Sequence, residues 1–312
     1  KILGLDPNKR ANLWQRIKRQ KDIFQLLKRL RPQTIISFMT GSFYFTAIPA
    51  MMLRIPRILA ERNSPQIYQV TSAARNKYLI FLSMLFANKI TTQFPQYILK
   101  YPAFLRKKFV VIPNSIPRSL ESVALNKPSE DHQIRYLFAG RFSFQKRIEL
   151  LIEAFAKFAN NRSDVHLNIF GSGPSEFTLR KKIRDLNAES KIDIFPPSKQ
   201  LIAEIQNSDA LCIPSLWEGF PNVLLESLYL GKPALGFHEC DGVNFLIKDG
   251  TNGWLTSFEE NGESYCELLI RSYKDLHANR ISSSLCRDSV SEYVPNKVYQ
   301  KWVDLILGLA KR

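Results

Sequence analysis

Two glutamates, Glu218 and Glu226, stand where the sequence predicts that a buried strand gives way to a helix. The apolar run at residues 210–214 predicts the strand, and the run at residues 223–230 predicts the helix. Ligands of open α/β sheets bind at the carboxyl ends of the strands, so two carboxylates at this point could take part in chemistry. The same spacing between glutamates recurs later in the chain with no strand before it, so the context makes this pair informative.

Polar groups between these glutamates could bind a sugar or a phosphate. Asn222 and Glu226 are four residues apart and would share one helix face, turned toward the loop that carries Glu218. A carboxylate at Glu226 suits the paired hydroxyls of a ribose, and Glu218 could accept from sugar hydroxyls or stabilise positive charge at an anomeric carbon. Backbone amides at residues 220–223, where the helix begins, could donate to phosphate or sugar oxygens. Either glutamate taken alone is typical of an ordinary surface position.

Glycine and basic residues follow the first two predicted strands of the C-terminal part. Gly140 would let a ligand approach the backbone, Arg141 offers a planar fork for phosphate oxygens, and Lys146 places a charge at a helix start. Together they predict a diphosphate site, although an arginine and a lysine after a strand are also typical of a solvated surface. The run Gly171-Ser172-Gly173-Pro174 predicts a tight turn into a helix, or a place where a nucleoside lies against the backbone.

Strands and helices alternate regularly after residue 133, which predicts a parallel, doubly wound α/β sheet. The predicted strands span residues 134–139, 165–170, 192–195, 210–214 and 233–237. The predicted helices span residues 147–159, 174–186, 201–207, 223–230, 263–276 and 297–309. One more apolar segment, at residues 243–255, lies between the last strand and the last two helices.

The first third of the chain predicts a less regular unit. Residues 8–31 have the pattern of a basic amphipathic helix, whose apolar face is typical of a helix that covers a sheet. Residues 33–53 carry no charge and are long enough to span a bilayer, but their Ser, Thr, Gly and Pro favour a strand at 34–39, a turn, and a helix at 43–53. Further strands are predicted near residues 67–70, 90–93 and 109–112, with a buried helix at 79–86.

The net charge of +16 on 312 residues, a length that fits two α/β domains, is concentrated in the first third. Residues 1–117 hold 20 Lys and Arg against 3 Asp and Glu, a net charge of +17. An anionic partner, lipid headgroups or nucleic acid, is one interpretation, and a solvated basic face is the other. No nucleic acid is expected, because no nucleic-acid-binding module is recognisable. The four cysteines and four histidines show no metal-ligand spacing, so no metal is expected, and the thiols are expected to be reduced and buried. No cofactor is expected either.

Because several of these motifs occur in the same order, residues 111–312 resemble the family 4 glycosyltransferases, which have the GT-B fold. The resemblance rests on the linker at residues 111–117, on the motifs named above, and on two further glycine-containing runs. These runs are Gly231-Lys232-Pro233 and Leu246-Ile247-Lys248-Asp249-Gly250 with Asn252-Gly253. Residues 1–110 resemble the family more weakly, through Arg31-Pro32, Ser37-Phe38 and residues 61–65.

The resemblance implies the fold class α/β, with two Rossmann-like parallel-sheet domains. Residues 1–117 would form a partial N-terminal domain on the acceptor side, and residues 118–132 a linker. Residues 133–294 would form the domain that binds the nucleotide sugar, and residues 295–312 a helix that crosses back to the N-terminal domain.

The chain departs from the family pattern at several positions. The family's glycine-rich opening loop and its N-terminal histidine have no counterpart in residues 1–117, so a truncated N-terminal domain is expected. Arg147 stands where the family commonly has a glycine, and Phe245 stands where it often has a glutamate.

The resemblance also implies a retaining hexosyltransferase that needs no metal and uses a nucleotide sugar, with UDP as the expected nucleotide. Arg141 and Lys146 would hold the diphosphate, Glu226 the ribose, and Glu218 would be the catalytic residue. The residues expected to hold the donor sugar are Gly219, Phe220, Pro221, Asn222 and Val223. A GT-B phosphorylase, or a sugar-nucleotide-binding protein without transferase activity, is the alternative.

The expected acceptor is a glycan or a lipid-linked glycan of surface polysaccharide biosynthesis. The basic N-terminal third favours an anionic membrane surface as a further partner. The protein is therefore expected in the cytoplasm, with peripheral attachment to the inner face of the plasma membrane.

Overall fold

The computed structural model describes residues 12–70, 72–125 and 133–310. The chain divides into two compact units at Pro113/Asn114 and at Tyr299/Gln300, so that the N-terminal unit also contains the end of the last helix. Three parts of the sequence predictions lie outside the described residues: residues 8–11 of the first helix, residues 126–132 of the linker, and residues 311–312.

The N-terminal unit contains a parallel sheet of four short strands. They are β1 (Ile35–Phe38), β2 (Arg57–Ala60), β3 (Lys89–Thr92) and β4 (Phe109–Val111), and they lie side by side in that order. Its helices are α1 (Leu13–Leu30), α2 (Met39–Met52), α3 (Ile67–Val70), α4 (Lys77–Met84), α5 (Pro95–Leu99) and α6 (Ala103–Arg106). Leu59, Ile90 and Phe109 are in register on neighbouring strands and belong to the same core.

The uncharged stretch at residues 33–53 forms β1 and α2, as the strand–helix interpretation predicts. The helix begins at Met39, directly after the strand, rather than after a turn. Its Ala50 packs in a small core with Leu27 of α1 and Ile55, so one apolar side of the basic helix α1 is used for packing. Among the described residues, no helix combines the length and the apolar composition that a membrane span requires.

The strand predicted near residues 67–70 is wrong, because these residues form the one-turn helix α3. Burial of Tyr68 accounts for the apolar signal: its ring packs in the core and its hydroxyl donates to Glu61 Oε2 at 2.5 Å. The strand of this region is β2, which the sequence pattern missed. It is only four residues long and stands among Arg54, Arg57 and Glu61, which hide its apolar character in any longer window.

The C-terminal unit contains a parallel sheet of six strands. The strands are β5 (Ile134–Arg141), β6 (Val165–Ser172), β7 (Ile192–Phe195), β8 (Ala210–Ile213), β9 (Ala234–Phe237) and β10 (Gly253–Thr256). The helices are α7 (Ile148–Ala159), α8 (Glu176–Asp185), α9 (Leu201–Gln206), α10 (Asn222–Tyr229), α11 (Asp241–Leu246), α12 (Glu263–His277) and α13 (Ser283–Asp288). The last helix, α14 (Pro295–Ala310), begins in this unit and belongs to the N-terminal unit from Gln300 on. The strand order is β10-β9-β8-β5-β6-β7, which is a doubly wound sheet and confirms the predicted fold class.

The order reverses at β5 and β8, which are neighbours in the sheet although two strands separate them in the chain. In such a sheet, this reversal point is where a crevice for ligands opens at the carboxyl ends of the strands. The loops that follow β5 and β8 carry Lys146 and Glu218, so both predicted site segments belong to this point.

Candidate functional site

The loop after β5 brings Lys146 back toward the end of its own strand. A 3₁₀ turn, Phe144–Lys146, follows the strand and leads into α7. A Cβ atom at Gly140 would lie 3.6 Å from Lys146 Cε, an ordinary contact distance, so the lysine side chain lies beside the backbone of Gly140. Arg141 is the last residue of β5 and its side chain is exposed. The loop therefore presents two cations at the carboxyl end of the strand.

Lys146 and Glu218 form an ion pair between the loops that follow β5 and β8. Lys146 Nζ lies 2.6 Å from Glu218 Oε1, with side-chain exposures of 19% and 8%. Gln145 holds the two loops together: its backbone oxygen accepts from Leu216 N at 3.0 Å, and its side-chain amide donates to Trp217 O. Sequence reasoning gave no role to Gln145, because nothing in the local pattern shows that residues so far apart in the chain meet.

Two glycines let the end of β6 and the loop after it pack directly against the end of β5 and the loop after it. A Cβ atom at Gly171 would lie 2.0 Å from Gly140 O, and one at Gly173 would lie 2.3 Å from Phe142 O. Phe142 N donates to Ser172 O at 2.9 Å in the same contact. The Gly-Ser-Gly-Pro run is therefore needed for close backbone packing beside the predicted diphosphate site. A direct contact of this run with a nucleoside stays a prediction.

The segment between the two glutamates forms a loop and the start of α10, which begins at Asn222, one residue earlier than predicted. One expectation needs correction: Pro221 has no amide hydrogen, so only Phe220, Asn222 and Val223 could supply amide donors. Phe220 is buried and its ring lies 5.8 Å from that of Tyr293, so its side chain packs rather than facing a ligand.

The start of α10 is fixed by a residue that sequence reasoning placed only in a linker. Asn114 Nδ2 donates to Asn222 Oδ1 at 2.8 Å, within the C-terminal unit. The side-chain oxygen of Asn222 is therefore engaged with the linker. Its position four residues before Glu226 nevertheless places both on one side of the helix.

Glu226 is half-buried near the start of α10, and burial raises the pKa of its carboxyl above the ordinary value. A carboxylate that has lost part of its hydration gains from donors that a ligand brings, such as a pair of hydroxyls. The predicted ribose site is consistent with this environment.

Arg147 and Phe245 occupy the positions where the chain departs from the family pattern. Arg147 has φ 48° and ψ 40°, a left-handed conformation that glycine adopts without strain, and its guanidinium lies 4.7 Å from the centre of the Phe258 ring. Phe245 is in α11, and the Lys248 ammonium lies 5.4 Å from its ring centre.

The cysteines are buried in the structure. All four cysteines are buried and none forms a disulfide. Cys240 lies near the ion pair, and burial, with the Glu218 charge as a smaller cause, raises the pKa of its thiol, which keeps it protonated. Within residues 12–70, 72–125 and 133–310, no three His, Cys, Asp or Glu side chains are grouped so that they could hold a metal ion.

Two parallel-sheet, Rossmann-like units define the GT-B architecture of glycosyltransferases. The chain belongs to the family of glycosyl transferases group 1, which it matches over residues 123–283, just over half of its length. The match contains the ion pair, Arg141 and Glu226.

The chain is similar to glycosyltransferases of bacteria. An uncharacterized glycosyltransferase of Haemophilus influenzae is 26% identical over 291 residues, which is 92% of this chain and 79% of that protein. The amylovoran biosynthesis glycosyltransferase AmsD of Erwinia amylovora is 26% identical over 207 residues, 65% of this chain and 57% of that protein.

Solved structures with the same fold have lower sequence identity. The lipopolysaccharide outer core galactosyltransferase WaaB, in its apo form, has a TM-score of 0.76 at 19% identity and covers 96% of this chain and 82% of its own. Anabaena HepE, solved with UDP and glucose, has a TM-score of 0.77 at 16% identity and covers 93% of this chain and 81% of its own. At these identities the similarity shows the fold, and the chain is a glycosyltransferase by its family membership.

Proposed function

We propose that the protein is a retaining, metal-independent hexosyltransferase of family 4 that moves a sugar from a UDP-sugar to a glycan or lipid-linked acceptor. The observation that carries the proposal is the contact of Lys146 with Glu218 at the reversal point of the sheet. One side chain of this pair can bind a departing diphosphate, while the other can interact with the sugar that the diphosphate leaves.

The basic side chains supply the electrostatic part of the reaction. Arg141 and Lys146 hold the diphosphate oxygens and stabilise the negative charge that develops when the glycosidic bond to phosphate breaks. The amides of Phe220, Asn222 and Val223, with Gly219 and Pro221 shaping their loop, surround the donor sugar. Their helix start adds a partial positive charge in place of a metal ion.

The two carboxylates have different roles. Glu218 is the catalytic residue, and its carboxylate stabilises the positive charge that builds up at the anomeric carbon. Glu226 accepts hydrogen bonds from the two ribose hydroxyls and so orients the nucleotide. Transfer with retention follows when the acceptor attacks from the face that the diphosphate leaves.

The proposal for the acceptor is supported by the composition of the chain and by the names of similar proteins. AmsD is named for amylovoran biosynthesis and WaaB for the lipopolysaccharide outer core, which supports a surface polysaccharide as the product. The basic N-terminal third supports an anionic or membrane-bound acceptor, a cytoplasmic location, and peripheral attachment to the inner face of the plasma membrane.

Donor screening tests the proposal. We expect UDP-glucose, UDP-galactose or UDP-N-acetylglucosamine to stabilise the protein in thermal shift, and UDP release to continue in the presence of EDTA. Nuclear magnetic resonance of the product should show the same anomeric configuration as the donor. Inversion, or loss of turnover with EDTA, would contradict the mechanism. Phosphate-dependent release of sugar phosphate from a glycan would favour a phosphorylase instead.

A further inference from the structure

Helices α2 and α4 of the N-terminal unit are apolar on both sides. Their inner sides share one core: Phe43 and Ala47 of α2 pack in the same cluster as Phe81 and Met84 of α4, over Leu59 and Ile90 of the sheet. The two helices therefore lie on the same face of the sheet. Their outer sides point away from it.

The outer sides carry large apolar side chains at helical spacing, and these side chains are exposed, so the prediction of a buried helix at residues 79–86 is wrong for this side of α4. We call them the α2–α4 face, which consists of Tyr44, Ile48, Met51, Met52, Tyr78, Leu79, Leu82, Leu85 and Phe86. Tyr78 is 71% exposed and Leu82 is 53% exposed. Helix α2 has no charged residue, and the only charged residue of α4 is Lys77 at its first position. This surface is therefore not an ordinary solvated helix face.

Cations without neighbouring acids border the α2–α4 face. Arg57 Nε donates to Phe86 O at 2.7 Å, and Lys108 Nζ donates to Leu85 O at 2.6 Å, which holds both charges at the end of α4. Burial, and then the charge of Arg57, lowers the pKa of Lys108, as expected for like charges held together. Between residues 12 and 113, the described residues include two acids, Asp22 and Glu61, and Glu61 is fully buried.

An apolar surface bordered by cations matches the boundary between lipid headgroups and acyl chains of an anionic bilayer. A second copy of the chain is a poor occupant, because a symmetric interface would place two strongly basic units against each other. Nucleic acid is also a poor occupant, because aliphatic side chains outnumber stacking aromatic ones on this face.

We propose that the α2–α4 face inserts into the interfacial layer of an anionic membrane, with the surrounding cations on the headgroups. The face would enter by about 5–10 Å, the depth at which amphipathic helices lie. This inference makes a specific surface responsible for the attachment that composition only suggested. It rests on the N-terminal unit alone and does not depend on the donor site.

Vesicle co-sedimentation of the full chain tests the inference. We expect binding to vesicles of phosphatidylcholine with phosphatidylglycerol, and little binding to phosphatidylcholine alone. Leu82→Glu should weaken partitioning about tenfold, because a half-exposed leucine no longer enters the apolar layer and a negative charge is added. Lys77→Gln, whose ammonium lies 5.2 Å from the ring centre of Tyr78 in the face, should weaken it about fivefold. The matched control is Leu285→Glu in α13 of the other unit, where the leucine is 49% exposed, and it should bind as wild type does.

Three results would overturn the inference. Absence of vesicle binding, or equal losses for Leu82→Glu and Leu285→Glu, would exclude the face as the site. A dimer that Leu82→Glu dissociates in analytical ultracentrifugation, without vesicle binding, would show a second copy as its occupant. If Leu82→Glu loses its circular dichroism spectrum, Tyr78→Glu at the more exposed position replaces it. Vesicle binding without UDP binding would contradict the proposed function and leave this inference standing.

Discussion

We expect opposite effects on UDP affinity when either member of the Lys146–Glu218 ion pair is replaced. Lys146→Met removes a charge-assisted hydrogen bond to the diphosphate, worth about 1.5–3 kcal/mol, so UDP should bind about 10- to 150-fold more weakly. Glu218→Gln removes the carboxylate that attracts the same ammonium at 2.6 Å, so UDP should bind as well as to wild type or more tightly. Transfer should be abolished in both variants.

Stability gives a second measure of the same pair. Removing one partner of a fully buried ion pair costs about 3–5 kcal/mol, and the 19% exposure of Lys146 brings the expected cost of Lys146→Met down to about 2–3 kcal/mol. The double variant Lys146→Met/Glu218→Gln should be less destabilised than the sum of the two single variants, because no charge is left without a partner.

Calorimetry with UDP and with uridine separates the roles. Uridine has no diphosphate, so its affinity should be the same in wild type, Lys146→Met and Glu218→Gln. The reasoning fails if Glu218→Gln weakens UDP binding as strongly as Lys146→Met does. It also fails if both variants lose uridine binding, since the pair would then act only by holding the two loops together.

Three further predictions concern other residues. Because burial raises the pKa of Glu226, uridine affinity should begin to fall on acidification above the usual glutamate value of 4.5, and Glu226→Gln should bind weakly at every pH, as titration calorimetry can measure. Gly171→Ala should destabilise the protein by about 3 kcal/mol or more in urea unfolding, because its Cβ would lie 2.0 Å from a backbone oxygen, whereas Gly308→Ala, with open space around it, should be neutral or slightly stabilising. Glu61→Ala should cost about 3 kcal/mol, because the Tyr68 hydroxyl and two backbone amides lose their acceptor. Burial raises the pKa of Glu61 in the folded state, so ionisation of this carboxyl opposes folding once the pH rises above the usual glutamate value of 4.5. The stability of Glu61→Gln relative to wild type should therefore increase as the pH rises above that value.

Much of the C-terminal sheet could be predicted because strands such as β8 and β9 are buried on both faces. Strands such as β8 are continuous apolar runs, all four residues buried, and the helices between them have one apolar side. The N-terminal sheet was harder to predict from the sequence, because β2 is short and surrounded by charged residues. In α3, Tyr68 is the one buried residue, so the apolar run there did not indicate a strand. A periodicity signal reports burial of side chains, and it identifies the element only where the burial pattern extends over several turns or strand pairs.

The residues of the candidate site could be predicted from the sequence, but their contact could not. Residue types at strand ends predict Arg141, Lys146, Glu218 and Glu226, since parallel strands bring their following loops to one edge. The contact between Lys146 and Glu218 could not be predicted, because it depends on the reversal of strand order beside β5. That contact joins residues that are 72 positions apart in the chain.

Arg147 shows how a departure from a family pattern becomes interpretable in three dimensions. An arginine at φ 48° is disfavoured by about 1–2 kcal/mol relative to glycine, and its stacking on Phe258 at 4.7 Å returns about 0.5–1 kcal/mol. The stacking offsets about half of the backbone cost, which helps the loop to follow the course that glycine allows. The guanidinium of Arg147 is engaged with the Phe258 ring, and Arg141 and Lys146 are the cations proposed for the diphosphate.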